Sequence, residues 1–163
     1  MGAYSPAPLL TEDYLDIIIK EIIEPTIDQL NKKNIDYRGV IYFGLMLTQS
    51  GAKVIEYNCR FGDPECQTIM PLLDQNFLFL LEKCSMGKLT GNEKINTFDK
   101  VSGCVIATSN GYPHEYKTGH PINIGNIDST DCQIFDSGTI LSENGELLTD
   151  GGRVLSNVCQ AKD

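Results

Sequence analysis

Glu56, Asn58 and Arg60 are spaced by single residues within the run VIEYNCRFGDPECQ at positions 54–67. In an extended strand alternate side chains share a face, so Val54, Glu56, Asn58 and Arg60 are expected on one side and Lys53, Ile55 and Tyr57 on the other. Neighbours on one face lie roughly 6.6 Å apart along the strand, close enough for the Glu56 carboxylate and the Asn58 carbonyl oxygen to share a hard cation that demands oxygen ligands. A guanidinium two residues further on would reach an anion held by that cation. The same spacing also describes a surface strand whose polar residues merely face water, and spacing alone leaves both readings open.

The residues that follow are more specific. Arg60-Phe61-Gly62-Asp63-Pro64-Glu65-Cys66-Gln67 resembles the RFGDPExQ signature of the glycinamide ribonucleotide synthetase family, the phosphoribosylamine–glycine ligases of the ATP-grasp superfamily. Met1 to Pro8 resembles that family's MGAYSPAP loop, and Tyr42 to Leu47 is similar to its YAGLML strand. Gly111-Tyr112-Pro113, Ser137-Gly138-Thr139 and Gly151-Gly152-Arg153-Val154-Leu155 match its GYP, AGT and GGRVL stations in the right order. Essentially the whole chain is covered. It departs from the pattern in having Asp136-Ser137 where the family has His-Ala, and in lacking the family's N-terminal domain and ATP-lid segment.

The resemblance implies an ATP-dependent ligase of purine biosynthesis that joins glycine to 5-phosphoribosylamine, giving glycinamide ribonucleotide, ADP and phosphate through an acyl phosphate. Such chemistry gathers negative oxygens and needs cations more than a covalent nucleophile. Glu56 and Asn58 match the family's Mg2+ or Mn2+ ligands, a two-residue site that phosphate and water would complete. Arg60 is assigned to an anion in or beside the transferring phosphoryl group, with a salt bridge to Asp63 or Glu65 as its structural alternative. Asp63 and Glu65 are candidates either to orient the substrate amine or to hold Arg60. Tyr4 and Ser5 are candidates to approach substrate, or parts of a structural turn. The implied partners are ATP, glycine, 5-phosphoribosylamine and the missing N-terminal portion of the same enzyme. Without that portion the 163-residue chain is expected to bind Mg·ATP poorly and to turn over nothing. The alternatives are an inactive folded fragment or binding module, or another ATP-grasp ligase that shares the Glu-x-Asn pair without RFGDPE.

Composition narrows the classes. The 163 residues are 41% hydrophobic, enough for a core, and carry a net charge of −9, which argues against a nucleic-acid role or an anionic membrane surface. Local phosphate binding through a metal and a few arginines remains compatible with that charge. No signal-like leader and no apolar run of about 20 residues is present, so a cytoplasmic protein is expected. The six cysteines form no CxxC pair and read as free, mostly buried thiols, with Cys66 a packing residue. His114 and His120 read as surface-loop residues, and Arg153 after Gly151-Gly152 as part of a tight hairpin turn.

Around the motif the pattern is α+β. Leu15, Ile18, Ile19, Ile22, Ile23, Ile27 and Leu30 mark an amphipathic helix from Thr11 to about Lys33, capped by Thr11 and kinked or split at Pro25. Runs 39–48 and 52–58 form an antiparallel hairpin. Asp63 is expected to cap a helix that starts at Pro64 and bends at Pro71, its N-terminus favouring anions; another helix runs from about Gln75 to Met86 and stops at Gly87. Strands are expected over 101–108, 133–141 and 154–159. The division is the C-terminal part of an ATP-grasp domain over 1–95, an antiparallel sheet with packed helices, followed by a small, incomplete β-rich domain over 96–163.

Overall fold

In chain order the elements are β1 (Gly2–Ser5), α1 (Glu12–Ile18), α2 (Glu24–Lys32), β2 (Tyr42–Thr48), β3 (Gly51–Asn58), α3 (Glu65–Ile69), α4 (Phe77–Ser85), β4 (Val101–Thr108), β5 (Cys132–Asp136), β6 (Thr139–Leu141), β7 (Leu147–Thr149) and β8 (Arg153–Ala161). The computed structural model describes residues 1–74, 76–127 and 130–162, so Gln75 and Asp163 lie outside the described residues. Backbone contacts divide the chain into two compact units, one of Met1–Pro6, Asp63–Leu73 and Thr97–Asp163, the other of Ala7–Gly62 and Asp74–Asn96. Two segments expected in the first part, Met1–Pro6 and Asp63–Leu73, thus pack with the strands that follow Thr97.

The unit built on Ala7–Gly62 contains the amphipathic helix and the hairpin. Thr11 caps α1, its hydroxyl accepting from the Tyr14 N–H at 3.4 Å. The helix is divided just before Pro25 into α1 and α2. A π-helical turn over Ile19–Ile23 precedes it, with the Glu24 N–H bonded five residues back to Ile19. The wider turn accommodates a residue that has no N–H and would crowd the carbonyl four positions earlier. Strands β2 and β3 pair antiparallel around a two-residue turn, and Gly51 takes the positive φ of 96° that this turn requires. α4 stops at Gly87, whose φ is 64°.

Glu93 ties down the loop after α4. Its carboxylate accepts from the backbone N–H groups of Thr90 and Gly91 at 3.1 Å and from Lys83 Nζ at 3.3 Å. Its own backbone N–H, chiefly, outweighs the opposing effect of partial burial, and Thr90 and Lys83 add to it; together they hold the carboxyl down at about 2, from 4.5. A depressed folded-state pKa contributes stability that is present above about 4.5 and is lost as pH falls through about 2. Melting curves of wild type and Glu93→Gln are therefore expected to converge as the solution is acidified over that window. An offset independent of pH would show that the carboxylate's charge does not anchor the loop.

The other unit is a four-stranded antiparallel sheet in the order β1-β4-β8-β5, with the small β6-β7 hairpin beside it. Its core is Cys104, Ile106 and Val158, exposed 2%, 6% and 3%. The Gly- and Pro-rich opening segment, expected as a loop, is an edge strand that pairs Gly2 with Val105 and Ser5 with Ser102. The expected strand over 133–141 breaks at Ser137-Gly138 into β5 and β6.

Two further expectations are corrected here. Cys132 and Cys159 are not free thiols: they face each other across β5 and β8 with Cα atoms 4.1 Å apart and form a disulfide. Of the remaining four cysteines only Cys104 is buried. Burial, followed by the charge of Asp63, pushes the Cys66 thiol up, which suits a packing residue and not a nucleophile. Nor does Asp63 cap a helix. α3 has five residues and no side-chain cap, too short a helix to set up a field for anions.

Candidate active site

Glu56 and Asn58 converge, but the strand achieves this differently from simple alternation. Tyr42, Phe43 and Gly44 pair with Asn58, Tyr57 and Glu56, whereas Leu45 pairs with Val54, leaving Ile55 as an extra residue in β3. This is a β-bulge. Directly paired residues share a face, so Val54 falls on the side of Tyr57 and not on the side of Glu56. Two contacts agree: Val54 and Tyr57 line one hollow with Ile22, Pro25, Thr26 and Leu30, and the Tyr57 hydroxyl lies 3.3 Å from that of Thr26. One face of the hairpin therefore meets the helix, and the other presents Glu56 and Asn58.

On that second face Asn58 Nδ2 donates to Glu56 Oε1 at 3.0 Å. Gly44 lies directly opposite, buried, and a Cβ there would come within 2.8 Å of Glu56 Cγ. The missing side chain leaves the Glu56 stem room to lie across β2. One carboxylate and one amide form an all-oxygen donor set, and no group of three or more His, Cys, Asp or Glu side chains suited to a metal occurs among the described residues. The pair fits a hard divalent cation that keeps water and takes phosphate oxygens, and it does not fit a closed zinc cage. Sharing a cation needs the amide oxygen of Asn58 turned toward Glu56, a half-turn of its terminal torsion that exchanges Oδ1 and Nδ2.

Arg60 lies past the end of β3, so alternation no longer governs where it points. Its Nη1 donates to the Phe61 carbonyl at 2.6 Å. Asp63, one of the two carboxylates suggested as a salt-bridge partner for Arg60, pairs with another arginine: its Oδ2 meets Arg153 Nη1 at 2.9 Å, while its Oδ1 accepts from Gln67 Nε2 at 3.0 Å. Glu65 opens α3, where its carbonyl accepts from the buried Thr68 hydroxyl at 2.7 Å. Tyr4 is 61% exposed on β1, and Ser5 lines a hollow with Leu72, Phe98 and Lys100. None of the residues lining that hollow lines the cavity that contains Asp63.

Arg153, read from sequence as part of a tight hairpin turn, follows the Gly151-Gly152 bend and opens β8. With Asp63 it lines a cavity of about 340 Å³ together with Ile106, Tyr112, Tyr116, Ser137, Gly152 and Ser156. Three separate motif stations build this wall. Gly138 N–H bonds the Arg153 carbonyl at 2.8 Å, Ser109 N–H bonds the Gly152 carbonyl at 2.8 Å, and Gly152 sits against the Tyr112 ring with no room for a Cβ.

Known proteins give independent comparisons. The model "Phosphoribosylglycinamide synthetase, ATP-grasp (A) domain" matches residues 1–66, and "Phosphoribosylglycinamide synthetase, C domain" matches residues 102–163. The phosphoribosylamine–glycine ligase of Synechocystis sp. is 44% identical over 169 residues, covering 100% of this chain and 39% of that protein. That of Caulobacter vibrioides is 42% identical, covering 98% of this chain and 37% of its own length. The chicken trifunctional purine biosynthetic protein adenosine-3 is 41% identical, covering 96% of this chain and 16% of that protein. The chain spans less than two fifths of the length of these relatives.

Among solved structures, phosphoribosylamine–glycine ligase from Thermotoga maritima superposes with a TM-score of 0.78 at 28% identity, covering 100% of this chain and 39% of that one. Biotin carboxylase from Campylobacter jejuni, at 17% identity and a TM-score of 0.63, covers 100% of this chain and 35% of its own; this likeness is one of fold. The expected fold class, an α+β portion of an ATP-grasp protein, is the one observed. No helix among the described residues is long and apolar enough to cross a membrane.

Proposed function

We propose, because this chain belongs to the phosphoribosylglycinamide synthetase family, that it is the carboxyl-side portion of an ATP-dependent ligase of purine biosynthesis. The reaction joins glycine to 5-phosphoribosylamine with cleavage of ATP to ADP and phosphate, through an acyl phosphate of glycine, in the cytoplasm. Glu56 and Asn58 would hold Mg2+ or Mn2+. That cation would supply charge neutralisation to phosphate oxygens when bound. The residues of this chain hold the donor set in place: Gly44 leaves space for the Glu56 stem, and the bulge at Ile55 sets the strand that carries both ligands. Arg60, free of the strand, is proposed to follow an anionic oxygen of the transferring group. Asp63 and Glu65 are proposed on the substrate side, with Tyr4 and Ser5 in supporting positions.

The observation that supports this reading most is the 3.0 Å meeting of Glu56 and Asn58 on the hairpin face turned away from the helix. The test uses a protein that contains this chain and extends to the length of its relatives. ADP release that requires glycine, 5-phosphoribosylamine and a divalent cation together is the expected result. ADP release indifferent to either organic substrate would sink the proposal. The 163-residue chain alone is proposed to release no ADP under the same conditions.

A further inference from the structure

Strand β5 has little to hold it in place apart from one covalent bond. It ends the order β1-β4-β8-β5, so only β8 pairs with it, over the five residues Cys132–Asp136. None of those five is buried, and Phe135 is 44% exposed, so little apolar surface fastens the strand to the sheet. Segments with few buried contacts open first. At its far end β5 runs into Ser137 and Gly138, whose N–H groups bond the Val154 and Arg153 carbonyls at 2.9 and 2.8 Å. At its near end the Gln160 N–H bonds the Asp131 carbonyl at 2.8 Å, and Lys100 meets Asp131 at 3.3 Å through side chains 33% and 57% exposed, a pair too wet to contribute much. The Cys132–Cys159 disulfide is the main attachment there.

That bond is also within reach of solvent. Cys159 is exposed and Cys132 half-buried. In the cytoplasmic setting proposed above, on which this inference rests, the disulfides that form are mostly those that cycle, and accessible ones exchange readily with thiols. We propose that Cys132–Cys159 is a thiol–disulfide exchange site for dithiol reductants, and that its opening frees β5 from β8. A thiolate of the reductant attacks Cys159 Sγ, the S–S bond breaks, and its electron pair leaves on Cys132 Sγ, which takes up a proton. The second thiolate of the reductant then attacks the reductant's own sulfur in the mixed disulfide, closing the reductant's disulfide and releasing Cys159, which takes up the second proton. The chain gains two electrons and two protons, and the dithiol loses them.

The test treats the purified, oxidised chain with millimolar dithiothreitol in native buffer. Backbone amide exchange is followed, and thiols are counted by alkylation and mass spectrometry after a denaturing quench. Alkylated cysteines are expected to rise from four to six. Exchange over Cys132–Asp136 is expected to quicken by about thirtyfold or more, the low end of what a disulfide ordinarily supplies, while the amides of β4 remain protected. Cys132→Ser is expected to show the fast exchange without reductant and no further response to it. Should that variant fail to fold, the reduced and oxidised forms of the wild-type chain carry the same comparison. A bond that never forms under oxidised glutathione, one that yields only after the chain is unfolded in denaturant, unchanged exchange over Cys132–Asp136 on reduction, or protection lost throughout the sheet would each overturn the proposal. No ATP or substrate enters the assay, so its failure removes the exchange site and leaves the ligase reading to its own test.

Discussion

Glu56→Ala, introduced into a protein with the full length of the relatives, is expected to lower substrate-dependent ADP release by about a hundredfold or more while leaving the fold unchanged. Glu56 supplies the only formal charge of the proposed donor pair. An amide alone cannot hold a divalent ion against water, so Asn58 does not substitute for it. The fold should survive because Glu56 is exposed and its hydrogen bond to Asn58 lies in solvent. Surface substitutions of this kind usually shift stability by no more than about 0.5 kcal/mol. Steady-state assays across a Mg2+ titration, with a thermal melt alongside, provide the measurement. Activity near that of wild type would take Glu56 out of the site.

The largest effect on stability is expected at Gly138. A Cβ there would lie 2.7 Å from the Arg153 carbonyl oxygen and 2.7 Å from Gly151 Cα, both backbone atoms that no rotamer change can clear. The strain must instead be relieved by opening the hydrogen bonds from Gly138 N–H to Arg153 and from Asp150 N–H to Gly138, at 2.8 and 2.7 Å. Overpacking together with lost backbone bonds puts the cost of Gly138→Ala at about 3 kcal/mol. In a chain of this size that lowers Tm by roughly 6–12 °C. Gly103→Ala is the control, since nothing lies within 4 Å of the position its Cβ would take. Equal melting temperatures for Gly138→Ala and Gly103→Ala would refute the close approach of these backbones.

How much of this was legible in the sequence depends on the range over which each feature is determined. The helix beginning at Thr11 was legible because its apolar stripe and cap lie within a few turns of each other, and β4 emerged with the expected bounds, Val101–Thr108. The 42–58 hairpin was legible because a short turn links its strands. β1 was not: Gly, Pro and Ser read as loop, and Gly2–Ser5 becomes a strand only through its pairing with β4, about a hundred residues away. The Cys132–Cys159 bond was hidden for the same reason, since it follows from the register of β5 against β8. In the site, Glu56 and Asn58 were legible as a pair, but Val54 was placed on the wrong face because period-two counting cannot detect an inserted residue. The Asp63–Arg153 ion pair was not legible because the two residues lie ninety positions apart in the chain.

Ile55 has a further consequence. A β3 lacking it would set Val54 and Glu56 against Leu45 and Gly44 in unbroken alternation, so every side chain would keep its present side of the hairpin. What would vanish is the local bend and added twist that a bulge imposes. The spare residue therefore governs the aim of the carboxylate and amide, not which side they occupy. A chain shortened by that one codon would retain both side chains and point them elsewhere.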